Sequence, residues 1–387
     1  MAAGCRGVRA RRMTKGASIE IRDLYKIFGR SPEQYVDPVR NGLSKSELGK
    51  KHGHILGLSN INISIPAGKI QVVMGLSGSG KSTLLRHINR LIEPTSGSIT
   101  IEGRNILDMS ELDLRRFRRN KTAMVFQRFA LLPHRTVIDN VTFGIEVRGI
   151  QKSKCREIGM RWIERVGLVG FEKRYPDELS GGMQQRVGLA RALSNDASIL
   201  LMDEAYSALD PLIRTDMQSM LLELQAELKK TIVFITHDLD EALRLGDRIV
   251  ILRDGSIVQQ GDSQDILLNP ADDYIARFVK NVNRGRFLKV NAVMDSVRQS
   301  GDRSLPTLKS GSTLDVAAKE LTNSPSNEAV VVDSSGKPVG IVSLRQITAA
   351  MSSPFEKDAA ELGVGGSDIV DGLDNAPLVQ RKGRQVP

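Results

Sequence analysis

The segment 75–82 constrains the fold of this 387-residue chain more than any other. It reads Gly-Leu-Ser-Gly-Ser-Gly-Lys-Ser and fits the pattern G-x-x-x-x-G-K-S/T. The apolar run 70–74 before it is typical of a buried strand, and the periodicity of residues 82–91 predicts a helix. A glycine-rich turn between a strand and a helix N-terminus directs backbone N–H groups inward, which suits phosphate oxygens. The segment therefore predicts an α/β fold with a phosphate-binding loop.

The polar residues of this loop have predictable roles. Lys81 would place a positive charge against the β- and γ-phosphates of a nucleotide, and the Ser82 hydroxyl is suited to Mg²⁺. The alternative is a Gly- and Ser-rich turn that binds nothing, but the flanking strand and helix favour nucleotide binding. The predicted nucleotide-binding residues of the loop are Gly75, Leu76, Ser77, Gly78, Ser79, Gly80, Lys81, Ser82 and Thr83.

An acid pair follows a second apolar strand pattern at residues 198–202. Acids at the carboxyl end of a strand face the ligand crevice of an open α/β sheet. Asp203 is therefore a predicted Mg²⁺ ligand, and Glu204 is a carboxylate that could polarise an attacking water. The alternative is a pair of acids that only caps the next turn.

Six motifs occur in order within residues 19–279: the loop 75–82, Gln127, the signature segment 179–186, Asp203-Glu204, the loop 207–210 and His237. Together they resemble the motifs of the ATP-binding subunits of ABC transporters. The signature segment 179–186 reads Leu-Ser-Gly-Gly-Met-Gln-Gln-Arg, with Met183 where the family usually has Gln. The resemblance implies a P-loop NTPase ABC cassette, in which a RecA-like core carries an antiparallel β subdomain and a helical subdomain.

The same resemblance implies ATP and Mg²⁺ as ligands, and a head-to-tail, ATP-dependent dimer of two copies. The loop 75–82 of one copy would face Ser180, Gly181 and Gly182 of the other. Two glycines permit close backbone approach, and the helix N-terminus after Leu179 suits an anion. Asp210 would couple the two sites across the dimer.

The resemblance also implies the catalytic residues Glu204, His237 and Gln127. Gln127 would ligate Mg²⁺ or water, and His237 would contact the γ-phosphate and hold Glu204. From the residues alone, a single histidine after an apolar strand is more often structural. The implied metal ligands are Ser82, Gln127 and Asp203. Phe28 is the candidate for stacking on adenine, with Tyr25 as the alternative, and either could instead belong to the core.

Composition limits the class of protein. The content of hydrophobic residues, 40%, supports a sizeable core, and the two cysteines, Cys5 and Cys155, are far apart. This usage fits a reducing compartment without disulfides. No apolar run approaches the roughly 20 residues that span a membrane, so we expect the transport path to lie in another polypeptide.

The net charge of +10 is unevenly spread. Residues 1–16 form a basic N-terminal extension that we expect to be disordered, with an over-extended start or a transit peptide as alternatives. The basic cluster 114–121 could face anionic lipid or nucleic acid, but a solvated helix face is favoured.

The insert 31–54 departs from the short loop that most cassettes have here. Its sequence resembles the branch of subunits that energise uptake of glycine betaine, proline and related quaternary amines. In that family the mostly helical segment between Gln127 and Leu179 receives a helix of the membrane subunit. The predicted groove residues are Phe129, Leu131, Leu132 and Pro133, although ordinary packing is the alternative.

The composition changes after residue 280, where residues 281–285 read as a linker. Residues 285–352 resemble a single CBS-type repeat, a small α/β unit, with Ser312 as the predicted N-cap of its first helix and Asp315 three residues later. Such repeats normally pair, so two protomers could pair theirs, or the unit could be degenerate. The polar tail 353–387 is expected to be disordered.

The sequence therefore predicts an ABC ATPase over residues 17–280 that energises import of glycine betaine, proline or choline-type osmolytes. Expected partners are a second copy, integral membrane permease subunits and, indirectly, a substrate-binding protein, but no nucleic acid. The expected location is peripheral, at the cytoplasmic face of the plasma membrane. Alternatives are import of another small solute, a non-transport ATPase acting on nucleic acid, and a sensor module in which hydrolysis is secondary.

Overall fold

The computed structural model describes residues 13–127, 130–296 and 305–352, which form three sheets. Strands and helices are numbered in chain order. The first sheet is antiparallel, with the order β2-β1-β4-β5. Its strands are β1 (Ile19–Phe28), β2 (Ile55–Ile65), β4 (Ser96–Ile101) and β5 (Arg104–Asn105). The predicted strand at residue 19 and the predicted antiparallel subdomain are confirmed.

The second sheet has the order β10-β9-β3-β8-β7-β6 and is parallel except for the pair β9–β10. Parallel sheets are covered on both faces, and the strand after which the loop 75–82 begins is buried along its whole length. The carboxyl ends of the parallel strands therefore meet at one edge of the sheet. The strands are β3 (Ile70–Met74), β6 (Thr122–Val125), β7 (Ile199–Asp203), β8 (Thr231–Thr236), β9 (Arg248–Arg253) and β10 (Ser256–Gly261).

Helices surround this sheet and form a subdomain beside it. Three of them, α5, α6 and α7 below, pack on one another, which confirms the predicted helical segment. No described helix is both long and apolar enough to cross a membrane. The helices are α3 (Lys81–Ile88), α4 (Glu111–Lys121), α5 (Val137–Val147), α6 (Lys152–Arg165), α7 (Gly181–Ser194), α8 (Pro211–Leu228), α9 (Leu239–Leu245), α10 (Ser263–Leu268) and α11 (Asp273–Val279).

The insert 31–54 folds onto the antiparallel sheet. It contains the helices α1 (Val36–Arg40) and α2 (Lys45–His52). Leu48 of α2 is fully buried in a small separate core that also contains Ile27 and Leu56 of the sheet. Burying these apolar side chains fixes the two helices against β1 and β2.

The described part of the N-terminal extension packs against the main body. The Thr14 backbone N–H donates to Asp196 at 3.2 Å, and the Thr14 carbonyl accepts from Lys230 Nζ at 2.7 Å. The buried Lys230 ammonium also lies 2.6 Å from Asp196, so the N-terminal segment packs over this ion pair. The expectation of disorder is wrong for residues 13–16, and residues 1–12 lie outside the described part of the chain.

The third sheet belongs to a small C-terminal α/β unit with the strand order β11-β14-β13-β12. Its first helix has Thr313, not Ser312, as N-cap, and no side-chain cap bond forms. The predicted cap is wrong because Ser312 is held by backbone bonds to Lys309 and Val290. The elements are β11 (Asp295–Ser296), β12 (Thr307–Lys309), β13 (Glu328–Val332), β14 (Pro338–Ser343), α12 (Leu314–Thr322) and α13 (Leu344–Met351).

The connection to this unit is packed, which corrects the predicted linker at residues 281–285. Arg284 is only 4% exposed and donates to the Leu267 carbonyl at 2.8 Å. Gln264 of α10 donates to the Phe287 carbonyl and accepts from the Lys289 N–H, each at 3.0 Å. The C-terminal unit is therefore fixed to the main body, and the tail 353–387 lies outside the described residues.

Candidate functional site

The loop 75–82 lies where the sequence predicts it, between the end of β3 and the start of α3. Gly75 has φ +146°, and a Cβ there would come within 2.1 Å of the Leu252 carbonyl. Gly80 has φ +102°, and its Cβ would lie 2.7 Å from the Gly57 carbonyl. Only glycine fits both positions, so these two residues allow the loop to close tightly on neighbouring backbone.

Lys81 is held inside this loop. It is 5% exposed, and its Nζ donates to the carbonyls of Gly75 at 2.8 Å and Leu76 at 3.0 Å. Burial lowers the pKa of Lys81, while the neighbouring charges of Glu204 and Asp203 oppose that shift. The ammonium is therefore prepositioned at the centre of the loop, where a phosphate could replace its carbonyl partners.

Ser82 and Asp203 lie together, as expected for two metal ligands. The Ser82 hydroxyl donates to Asp203 Oδ1 at 2.8 Å. Among the described residues, no group of three or more His, Cys, Asp or Glu side chains could by itself hold a metal ion. One hydroxyl, one carboxylate and the Gln127 amide oxygen are hard oxygen donors, and Mg²⁺ commonly takes few protein ligands besides water and phosphate. The residues present therefore fit Mg²⁺.

Glu204 is the meeting point of the predicted catalytic residues. Its Oε2 lies 3.3 Å from Gln127 Nε2 and 3.5 Å from His237 Nδ1, and its Oε1 lies 3.8 Å from Lys81 Nζ. Its backbone has φ +45°, which is uncommon for a residue with a side chain, and its N–H donates to the Ile235 carbonyl. A left-handed residue at this strand end directs the carboxylate toward the loop 75–82, where it could accept a proton from water.

Ser207 is a polar contact that the sequence did not single out. Its hydroxyl accepts from Gln127 Nε2 at 3.2 Å and donates to the Glu204 carbonyl at 3.0 Å. Gln127 therefore bridges Glu204 and Ser207. In the sequence, Ser207 could have been identified from its position as the first residue of the loop 207–210.

Phe28 fits the predicted adenine contact better than Tyr25 does. Phe28 is 38% exposed and lines an open cleft of about 300 Å³ with residues of the loop 75–82, whereas Tyr25 is buried. A Cβ on Gly57 would lie 2.7 Å from the Phe28 ring, so this glycine makes room for the aromatic side chain. Lys26 Nζ covers one side of the ring at 5.0 Å from its centroid. An aromatic ring at the mouth of such a cleft could stack on a base.

The signature residues lie apart from this group. Ser180 is the N-cap of α7 and accepts from the Met183 N–H at 3.3 Å. A Cβ on Gly182 would lie 2.6 Å from Ile213, and Asp210 accepts from the Ile213 N–H at 3.0 Å. Within the described residues, no hydrogen bond joins Ser180, Gly181, Gly182 or Asp210 to residues 75–83. The structure thus groups the loop with Glu204 and places the signature with α8.

The predicted groove for a membrane subunit is described in part. Leu131 and Leu132 are half-buried and Pro133 is exposed, while Phe129 lies outside the described residues. The backbone of Leu132 is held by Asn140, so the position of this segment is fixed. The groove for a membrane subunit stays a prediction.

The basic cluster 114–121 lies on α4 and contains paired charges. Arg116 lies 3.7 Å from Asp113, and Lys121 lies 2.8 Å from Glu102. These pairs agree with the solvated helix face that we favoured.

The geometry defines a class of protein: an ATP-binding cassette ATPase with a P-loop, an acid pair at a strand end and a separate signature helix. A family model described as ABC transporter matches residues 58–207, and a CBS domain model matches residues 300–353. The chain belongs to the ABC transporter family and is an ABC ATPase that binds and hydrolyses ATP.

Similar proteins include two curated relatives and a solved structure. The glycine betaine transport ATP-binding protein OpuAA of Bacillus subtilis is 52% identical over 72% of this chain and 67% of its own length. The glycine betaine/proline betaine transport ATP-binding protein ProV of Escherichia coli is 46% identical over 88% of this chain and 84% of its own. A dimeric ATP-binding cassette with bound ADP and Pi is 31% identical, with a TM-score of 0.54 over 63% of this chain and 98% of its own.

Proposed function

We propose that this chain is the ATP-hydrolysing subunit of an importer for glycine betaine, proline betaine or a related osmolyte. One observation carries the hydrolysis: the Glu204 carboxylate lies within 3.8 Å of Lys81, His237 and Gln127 at the edge of the parallel sheet. The solute class is supported by the names of both relatives and by the insert 31–54.

The residues divide the chemistry among them. Backbone N–H groups of the loop and Lys81 bind the phosphates of ATP, and Phe28 stacks on its base. Ser82, Asp203 and Gln127 would hold Mg²⁺, which would neutralise phosphate charge. Glu204 polarises the attacking water and accepts its proton, while His237 and Gln127 keep the carboxylate oriented.

A head-to-tail dimer completes the site in this proposal. Ser180, Gly181 and Gly182 of the second copy approach the ATP held by the loop 75–82, and Asp210 couples the two sites. The similar cassette with bound ADP and Pi is dimeric, which supports a dimer of this chain. Integral permease subunits form the transport path, a substrate-binding protein delivers solute to them, and this chain lies at the cytoplasmic face of the membrane.

Reconstitution tests this function. The chain, its permease subunits and the binding protein are placed in proteoliposomes, and ATP hydrolysis is measured with glycine betaine, proline betaine, choline or proline outside. We expect at least one of these solutes to stimulate hydrolysis and to accumulate, and Glu204→Gln to abolish both effects. Hydrolysis that responds to none of them would contradict the osmolyte assignment, and stimulation by RNA instead would favour the nucleic-acid alternative.

A further inference from the structure

The insert 31–54 contributes a lysine to the nucleotide cleft. Lys45 lines that cleft together with Phe28, Ser77 and Gly78. It is the first residue of α2, at a position that no motif of the sequence marks. The polar insert, which no sequence motif linked to the nucleotide site, therefore reaches the predicted binding site.

Lys45 stands on a fixed part of the insert. The start of α2 is closed by a capping box, in which Ser44 Oγ accepts from the Glu47 N–H and Glu47 Oε2 accepts from the Ser44 N–H, each at 3.2 Å. The fully buried Leu48, one turn of helix away, anchors α2 against the antiparallel sheet. The backbone of Lys45 is thus held in place at both ends of this turn.

The partner of Lys45 is exposed and can be exchanged. Lys45 Nζ lies 3.4 Å from Asp254 Oδ1, and the side chains are 39% and 72% exposed. Asp254 belongs to the turn between β9 and β10, where the Gly255 N–H donates to the Ser79 carbonyl of the loop 75–82. Exposed ion pairs contribute little to stability, so exchanging this carboxylate for another oxyanion costs little.

The two lysines of the cleft differ in their surroundings. Lys81 is buried and has two carbonyl partners, whereas Lys45 has a single exposed carboxylate partner. A lysine ammonium is a strongly hydrated point charge on a flexible stem and suits a phosphate oxygen at a cleft mouth. Lys45 therefore offers the kind of charge that a nucleotide polyphosphate attracts.

We propose that Lys45 leaves Asp254 when nucleotide enters and binds a phosphate oxyanion of the ATP or ADP. This inference rests on the proposed role of the cleft as the nucleotide site. It makes the insert a direct part of that site and makes Asp254 a competitor of the nucleotide for one ammonium group.

Binding measurements on the full-length chain test the proposal. The dissociation constants of ATP and ADP are measured with Mg²⁺ for Lys45→Gln and for Lys51→Gln, a control on the same helix whose side chain is 64% exposed and paired with Glu47. Lys45→Gln is expected to weaken both nucleotides about fivefold and to make binding less sensitive to salt, because a partly exposed charge contributes about one kcal/mol. Lys51→Gln is expected to bind as the unchanged chain does.

Asp254→Asn tests the exchange of partners. Asn tolerates the left-handed backbone at this position, where φ is +50°, so the turn is preserved. Because the competitor is neutralised, this variant is expected to bind ATP two- to fivefold more tightly. The gain should disappear in the Lys45→Gln background, a result that a purely structural role of Asp254 does not give.

Two outcomes separate the inference from the function on which it rests. Equal affinities for Lys45→Gln and Lys51→Gln, or an Asp254→Asn gain that persists without Lys45, would overturn the role of Lys45. If Lys81→Ala strongly weakens ATP binding in the same assay, only that role fails. If Lys81→Ala binds ATP normally, the cleft itself is not the nucleotide site. Thermal denaturation of every variant checks that each one is folded.

Discussion

The loop 75–82 and the signature segment differ in how complete each is within one chain. Lys81 lies within 3.8 Å of Glu204, and the Ser82 hydroxyl donates to Asp203, so the polar and charged groups around the loop contact one another within one chain. Ser180 is exposed, and its hydroxyl accepts a hydrogen bond from the Met183 N–H in the first turn of its own helix. The difference teaches that the loop 75–82 and its charged neighbours form a pocket within one chain, whereas Ser180 lies on an exposed polar surface.

Neutralising Glu204 gives the largest expected effect on this comparison. Glu204→Gln keeps the size of the side chain but removes the base, so hydrolysis is expected to fall about a thousandfold while ATP binding persists. Steady-state phosphate release and equilibrium ATP binding measure the two quantities. Glu223→Gln, an exposed carboxylate on α8, is the matched control. Unchanged hydrolysis in Glu204→Gln would show that another residue acts as the general base.

Removing the charge at the centre of the loop is expected to act on binding itself. Lys81→Ala loses charge-assisted bonds to phosphate, and two such bonds account for a loss of affinity of about a hundredfold or more. Isothermal titration with ATP measures this loss. Lys69→Ala, which removes an exposed lysine paired with Asp247, is expected to bind normally. An unchanged ATP affinity in Lys81→Ala would show that the loop 75–82 does not bind the nucleotide through Lys81.

The helix behind the loop is expected to be sensitive to acid. His87 of α3 is fully buried, and burial lowers its pKa to about 4 from an ordinary value of 6.5. The unfolded chain therefore binds this proton first, so the stabilisation is complete above pH 6.5 and is lost as the pH falls toward 4. The loss amounts to about 3 kcal/mol in the free energy of unfolding.

Urea denaturation from pH 7 to 4 measures this contribution. His87→Leu removes the titrating group, so its free energy of unfolding should decline less steeply over that interval than that of the unchanged chain. Parallel declines in the two proteins would show that other groups cause the acid sensitivity.

Removing the Ser180 hydroxyl of the signature segment is expected to give the smallest effect. An N-cap serine on another helix serves as the control. Ser180→Ala and Ser110→Ala each remove an N-cap hydroxyl, from α7 and α4, and each should lower stability by about 1 kcal/mol. Only Ser180→Ala is expected to lower ATP hydrolysis, by about tenfold, because in the proposed dimer its hydroxyl would also contact the nucleotide of the second copy. Equal rates of ATP hydrolysis in the two variants would show that Ser180 acts only as the N-cap of α7.

Local patterns in the sequence predicted the loop side of the site well. The buried strand, the glycines and Lys81 are neighbours in sequence, so a short window contains the whole strand–loop–helix unit. The grouping of Glu204 with Gln127 and His237 was implied by the family resemblance. Its physical basis in the structure is that parallel strands end at one edge of the sheet.

Features that depend on distant packing were missed. Lys45 reaches the cleft because Leu48 is buried against Leu56, and no local pattern in the insert shows that contact. Arg284 was taken for part of a linker because its burial depends on the carbonyl of Leu267, which the sequence around residue 284 does not contain. The sequence does not predict the position of a side chain whose contacts are with residues far away in the chain, as the examples of Lys45 and Arg284 show.

The mass of the Glu204→Gln protein in ATP and Mg²⁺, with and without Ser180→Arg, tests most directly whether each copy completes the other's site. Light scattering is expected to show an ATP-dependent dimer for Glu204→Gln and a monomer for the double variant, because a bulky cation blocks the docking surface. The monomeric double variant should still bind ATP, because its own loop 75–82 is unchanged. A dimer that persists with Ser180→Arg, or a double variant that no longer binds ATP, would contradict the account.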